Sequence, residues 1–147
     1  IGSALKLRKP YAKRPWQHVL DLCEAYQILL ERVLNDTSHE AGGNWNFGPL
    51  PNDSVTVIDL IRRLESFWQS LTLDFDQGPP ETMTLTLDTT KARTQLGWHP
   101  RLSLDEALQK TAEWYQLALT NPEKLANLTR LQIEAHHARA GSHSVNI

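Results

Sequence analysis

Leu85-Thr86-Leu87-Asp88-Thr89-Thr90-Lys91-Ala92-Arg93-Thr94-Gln95-Leu96-Gly97-Trp98 sets three structural signals side by side. Met83, Leu85 and Leu87 alternate with threonines, which predicts a strand. Asp88 is placed to cap a helix start. Gly97 is placed to stop that helix in the left-handed conformation that glycine adopts without strain. A strand that runs through a cap into a short helix points to a mixed α/β fold.

Downstream of this stretch, the sequence is helical. Ser103 and Glu106 have the spacing of a capping box, and the helix they open runs to about Leu119. Its expected buried face is Leu104, Leu108, Thr111, Ala112 and Tyr115. Asn121-Pro122 reads as a cap followed by a first-turn proline, starting a last helix to about Ala138. Residues 139–147 carry no pattern and are expected to be a mobile tail on a domain spanning 1–138.

Upstream, helices alternate with short strands. Ala4 to Arg8 reads as a strand, and Pro10 and Pro15 bracket a turn. The spacing predicts a helix from Asp21 to about Asn35, with Leu22, Cys23, Tyr26, Leu29, Leu30 and Val33 on its buried face. A polar loop to Gly43 precedes a strand at Trp45-Asn46-Phe47, stopped by Gly48 and Pro49. Thr56 and Asp59 form a second capping box, with Val57, Leu60, Ile61, Leu64, Phe67 and Trp68 as the apolar stripe of its helix. Leu71 to Phe75 is a strand broken by Gly78, Pro79 and Pro80. The expected fold class is α/β, more narrowly α+β and helix-rich, with three to four helices. The strands are too short and scattered for a full sheet, so the pattern is that of a subdomain of a larger α/β protein.

Composition narrows the function. The 147 residues carry a net charge of −2, which gives no field to favour nucleic acid or a membrane surface. Cys23 is the lone cysteine, so no internal disulfide forms. No apolar run approaches the roughly 20 residues that span a bilayer, and no secretory signal is visible, so a cytoplasmic location is expected. Lys6, Arg8, Lys9, Lys13 and Arg14 fall within the first fourteen residues with no acid among them. They read either as a solvated basic face or as a site for an anion such as a diphosphate.

Several chemistries are missing. The seven glycines never take the spacing that lets backbone cradle a pyrophosphate. Tyr11, Tyr26 and Tyr115 are followed four residues on by Pro15, Leu30 and Leu119, so no lysine activates a tyrosine as a general base. His136 and His137 point about 100° apart on a helix and are read as a polar helix end, not a metal site. No cofactor and no metal is therefore expected on these residues.

Three stretches carry a resemblance. They are Arg14-Pro15-Trp16-Gln17-His18-Val19, preceded by Leu7-Arg8-Lys9-Pro10; Trp45-Asn46-Phe47-Gly48-Pro49; and Leu85 to Trp98 followed by Thr111, Glu113, Trp114 and Tyr115. In this order the chain resembles the C-terminal part of CDP-glucose 4,6-dehydratases, a branch of the extended short-chain dehydrogenases, from about Leu5 to His136. The Asp-Lys-Leu-Gly-Trp pattern is shared across nucleotide-sugar epimerases and dehydratases. Arg-Pro-Trp-Gln-His-Val and Asn-Phe-Gly-Pro point more narrowly to the CDP-glucose branch.

The resemblance implies a fold lacking the Rossmann dinucleotide half, and a role in gripping a CDP-sugar or other nucleotide sugar. In the family, NAD and the catalytic tyrosine-lysine pair belong to that other half. Arg14 matches an arginine expected near the nucleotide sugar, and a guanidinium can hold a phosphate with two parallel hydrogen bonds. The alternative is a surface or structural arginine. Trp16 lines the nucleotide pocket or packs in the core. Gln17 and His18 reach the ligand or cap backbone. Glu81 matches an acidic family position or is a loop carboxylate. The family carries a histidine where Pro80 stands, and a small, proline-containing stretch where Leu22-Cys23-Glu24-Ala25 stands.

Two classes of function follow. One is a binding module, completing an active site with a separate Rossmann-domain chain. The other is a non-catalytic interaction protein or gene remnant. In both, the helix from Asp21 and the Trp45–Phe47 strand lose the cover of the dinucleotide half, so a two-fold homodimer is expected.

Overall fold

The computed structural model describes residues 4–35, 42–50, 54–68, 72–76 and 82–139. Their order is β1 (Leu5–Leu7), β2 (Lys13–Arg14), α1 (Val19–Asn35), β3 (Val55–Thr56), α2 (Val57–Leu64), β4 (Leu73–Phe75), α3 (Thr90–Gln95), α4 (Leu104–Thr120), a 3-10 turn (Pro122–Lys124) and α5 (Leu125–Ala138). This is the helix-rich α/β arrangement that the sequence predicts, with five α-helices among the described residues where three to four are expected.

Two small sheets set the frame. β1 and β4 run parallel, with Leu5 opposite Leu73 and Leu7 opposite Phe75. Parallel strands need a crossover, and α2 lies within this one. Ile58 and Ile61 bury one side of α2 against Leu7, with Leu73 packed at the edge. β2 pairs antiparallel with β3, and Lys13 also bridges to Thr84 on its other side.

The start of α2 ties the two sheets together. Thr56 caps it by accepting from Asp59 N at 3.2 Å. Two further first-turn donors find loop carbonyls: Val57 N on Ala12 at 3.0 Å and Ile58 N on Pro10 at 2.9 Å. These bonds fix the turn that delivers Lys13 and Arg14.

A second core forms where α1 meets α3. Ala25, Ala92 and Trp98 are buried, with Ile28, Trp45, Phe47 and Leu96 packed around them. Gly97, at φ +65°, ends α3 as expected. The Ser103–Glu106 capping box opens α4 with both reciprocal bonds in place.

Several expectations need correction. Residues 45–47 are not a strand among the described residues, because a strand is a ladder and no described neighbour pairs with them. Trp45 and Phe47 pack as core instead. Residues 83–87 also form no strand. Only Thr84 bridges to Lys13.

The largest correction concerns α1. The helix starts at Val19, two residues earlier than the periodicity suggests, and buries Asp21 and Ala25. Tyr26, Leu30 and Val33 are 58%, 57% and 47% exposed. Each residue advances a helix by about 100°, so the buried line through 21, 25 and 28 lies next to the expected apolar line, not on it. Leu22 and Leu29 of the apolar line are partly buried and Tyr26 meets the Phe47 ring edge-on at 6.1 Å, so the described residues cover this line only in part. In α4, Leu108 and Ala112 are buried as expected, together with Ala107, whereas Tyr115 is 54% exposed. Arg139 is the C-cap of α5 and is bonded to Glu106 and Arg101, while 140–147 lie outside the described residues.

Candidate functional site

Arg14 is placed by the short β2–β3 ladder. Its Nη1 donates to the carbonyls of Lys13 at 2.9 Å and Thr82 at 3.0 Å. The guanidinium therefore spans from β2 to Thr82, two residues ahead of the Thr84 bridge. Glu81, the acidic candidate next to it, lies outside the described residues.

The next three candidates are brought together. Trp16 Nε1 donates to Val55 O at 3.1 Å, anchoring the indole to β3. Gln17 is half-buried, and its Nε2 has no partner among the described residues. His18 is 8% exposed and accepts from Leu20 N on Nδ1 at 3.2 Å, capping the first turn of α1. Burial pushes the His18 pKa below its ordinary value, against the pull of the Asp21 carboxylate. Trp16, Gln17, His18 and Asp21 share a cavity of about 10 Å³, room for about one water. Arg14 is not part of its lining.

Two larger openings flank this strip. One of about 260 Å³ lies between the start of α1 and the α4–α5 pair, walled by Val19, Leu20, Trp114 and Tyr115. The other, of about 310 Å³, is lined by Pro15 and Ser54 on one side and by Thr86 to Thr90 with Arg93 on the other.

A buried polar network lies behind the site, and local sequence patterns missed it. His136 Nε2 is 2.8 Å from Asp21 Oδ1, and both side chains are 2% exposed. The reading of His136 as a polar helix end is therefore corrected: it is the inward face of α5. Asp21 Oδ1 also accepts from Arg101 N at 2.9 Å, and Asp21 O accepts from Trp98 Nε1 at 3.2 Å. Arg101 Nε reaches both Glu24 oxygens at 2.6 and 2.7 Å. Arg139 then donates to Glu106 at 2.6 Å, and with the Ser103 backbone N–H it holds the Glu106 carboxyl down at about 2.

Asp21, Glu24 and His136 each bring one potential metal ligand within 4.8 Å of the others. Those atoms are already bonded to one another or to Arg101, whose positive charge opposes a cation at the same place. The arrangement is a buried polar clamp that joins α1 and α5 to Arg101, just ahead of α4.

The chain was compared with known proteins. The family described as GDP-mannose 4,6 dehydratase matches residues 3–111. CDP-glucose 4,6-dehydratase of Salmonella typhimurium is 36% identical over 122 residues, covering 81% of this chain and 34% of that protein. dTDP-glucose 4,6-dehydratase of Streptomyces niveus is 32% identical over 105 residues, covering 71% of this chain and 30% of that protein. The chain thus spans about a third of the length of the curated relatives it matches. A crystal structure of dTDP-glucose 4,6-dehydratase from Bacillus anthracis in complex with NAD superposes with a TM-score of 0.60 at 21% identity, over 85% of this chain and 37% of that one. At that identity the superposition shows a shared fold. The resemblance read in the sequence holds.

Proposed function

We propose a function from one premise: this chain belongs to the GDP-mannose 4,6 dehydratase family. Its residues recognise a nucleotide sugar, with CDP-glucose as the first candidate, and the oxidation and elimination of the family reaction belong to a Rossmann-type unit outside these residues. The observation that carries this is Arg14. By the resemblance it matches the arginine expected near the nucleotide sugar, and its Nη1 is held by two backbone carbonyls before any ligand arrives. A pre-oriented guanidinium suits a diphosphate, because little ordering entropy remains to be lost on binding.

NAD does not fit the residues present. A dinucleotide needs a strand, a glycine turn and a helix N-terminus in direct succession. Among the described residues the glycines with positive φ are Gly43 and Gly97, and neither stands between a strand and a helix start. Neither Tyr11, Tyr26 nor Tyr115 has a lysine four residues on.

Calorimetric titration with CDP-glucose, CDP and UDP-glucose, with NAD as a control, tests the reading. Selective binding of the CDP ligands is expected. Silence toward every nucleotide sugar, or turnover of CDP-glucose by this chain alone, refutes it.

A second reading, an interaction protein that self-associates, is favoured by the exposed side of α1. Tyr26, Leu30, Val33 and Leu34 form an apolar line there. Contiguous exposed apolar surface of this kind marks association sites. A two-fold homodimer is the simplest cover. Sedimentation at micromolar concentration separates the outcomes, and a monodisperse monomer removes the dimer.

A further inference from the structure

The opening of about 260 Å³ lies on the other side of His18 from Arg14, which is not part of its lining. Its walls are mainly apolar. Val19 and Leu20 come from α1, and Trp114 and Tyr115 from α4. The two aromatic rings meet edge-to-face at 5.2 Å. Val19 and Tyr115 are both exposed, so filling the opening takes apolar surface out of water.

Three polar groups of the lining are engaged within the wall. Trp114 Nε1 donates to Thr129 Oγ1 at 3.0 Å, Thr111 Oγ1 to Ala107 O at 2.8 Å, and Gln132 Nε2 to Lys110 O at 3.1 Å. Two further donors differ. His18 Nδ1 accepts from Leu20 N, so the neutral ring carries its proton on Nε2. Burial, above all, keeps the ring neutral by pushing its pKa down, and the nearby Lys110 charge acts in the same direction. His18 Nε2 has no hydrogen-bond partner among the described residues, yet it is not one of the unpartnered atoms shut off from solvent, which are Gln17 Nε2 and Arg93 Nε. A side chain only 8% exposed therefore presents an accessible N–H. Lys110, on the same lining, makes no ion pair among the described residues.

Charge selects the ligand. The lining contains no carboxylate. The Asp21 carboxylate, which also acts on His18, is turned to His136 and Arg101 N. One cation and one neutral donor suit an anion of single charge with two acceptor oxygens. A diphosphate brings more charge than one lysine balances and would lose water against apolar walls. Trp114 and Tyr115 offer ring edges and faces to a flat apolar body. The volume is just under the lower end for ligand sites, about 300 Å³, which suits a single ring with a short acid arm.

We propose that this pocket binds a small aromatic monocarboxylate, with its ring against Leu20, Trp114 and Tyr115 and its carboxylate held by Lys110 Nζ and His18 Nε2–H. The site shares only His18 with the nucleotide-sugar candidates, and it stands or falls independently of them.

Proton–nitrogen NMR spectra of the chain report on the pocket through Trp114 Nε1–H, the Gln132 side-chain amide and the Leu20 amide. Phenylacetate is the probe. Benzyl alcohol carries the ring without the charge, and acetate the charge without the ring. Phenylacetate is expected to shift these resonances saturably at millimolar concentration, with either control weaker by about tenfold. Lys110→Met keeps the stem and removes the charge, so phenylacetate affinity should fall about tenfold, with far-UV circular dichroism unchanged. Lys110→Arg should restore most of it. No saturable shift overturns the proposal, as does benzyl alcohol binding as tightly as phenylacetate, or Lys110→Met binding as tightly as the parent. CDP-glucose displacing phenylacetate would give the pocket to the nucleotide sugar and overturn it too. CDP-glucose binding without moving these resonances leaves both sites standing.

Discussion

His136 Nε2 and Asp21 Oδ1 meet at 2.8 Å with both side chains 2% exposed, so the last turn of α5 is fastened to the first turn of α1 by one buried contact. The same carboxylate oxygen accepts from Arg101 N at 2.9 Å. One side chain therefore satisfies groups on two other parts of the chain. Such a residue should be worth more than an ordinary surface ion pair, because its removal strands buried partners.

Asp21→Ala is accordingly expected to destabilise the fold by about 3 kcal/mol, since a buried pair loses one member and leaves the other unpaired. Urea unfolding followed by circular dichroism measures this as a lowered midpoint. A midpoint within the error of the parent would show that the pair contributes nothing and that α5 is held by other contacts.

Two groups set the pH profile in separate windows. His18 has its folded pKa lowered, mainly by burial. The unfolded chain then binds the proton more readily, so stability should fall as pH drops below the ordinary histidine value of about 6.5. Glu106 has its pKa lowered from 4.5 to about 2. Its contribution is complete above 4.5 and is lost as pH falls toward about 2. His18→Gln should flatten the first limb and Glu106→Gln the second. Unfolding midpoints measured across both windows check the assignment, and exchanged effects would refute it.

What the sequence made legible follows from the range of each interaction. Both capping positions, Thr56 and Ser103, were readable because their partners Asp59 and Glu106 stand three residues away. The stop at Gly97 was readable because a single backbone conformation decides it. Residues 45–47 and 83–87 misled because alternation shows the capacity to form a strand, and pairing requires a neighbour. The α1 face misled because periodicity marks which side needs apolar cover, not which side these residues supply. The Asp21 clamp was invisible because its partners lie 80 and 115 positions away. At the candidate site, Arg14 came from family resemblance.

Trp98 is 1% exposed and combines three contacts: the Ala25–Ala92 cluster, an edge-to-face ring contact with Phe47 at 5.2 Å, and a hydrogen bond to Asp21 O. Trp98→Ala should cost about 3–5 kcal/mol, the usual range for emptying such a volume. Trp98→Phe keeps part of the packing and loses the hydrogen bond, so a smaller loss is expected. Thermal unfolding ranks the two, and an equal loss would mean that the Asp21 bond, not the volume, dominates.

Gly97 isolates backbone strain from packing. It sits at φ +65°, and a Cβ built there meets nothing within 4 Å. Gly97→Ala should therefore destabilise by only about 1 kcal/mol, the cost of holding an alanine in the left-handed region. A much larger loss in urea unfolding would show that this turn tolerates no readjustment.

Arg14 separates recognition from folding. Its guanidinium touches two carbonyls at a partly exposed site and lies outside both hydrophobic clusters. Arg14→Ala removes these hydrogen bonds but empties no core volume, so it should cost only about 1 kcal/mol of stability and leave the chain folded. The same change removes a charge-assisted, two-pronged grip on a diphosphate, so CDP-glucose affinity should fall at least tenfold, about 1.4 kcal/mol or more. Arg14→Lys keeps the charge but cannot form the planar fork, and it should recover only part of the loss. Full recovery by lysine would assign the role to charge alone. Unchanged affinity in the alanine variant would remove Arg14 from the site and leave the ligand to be sought elsewhere on the chain.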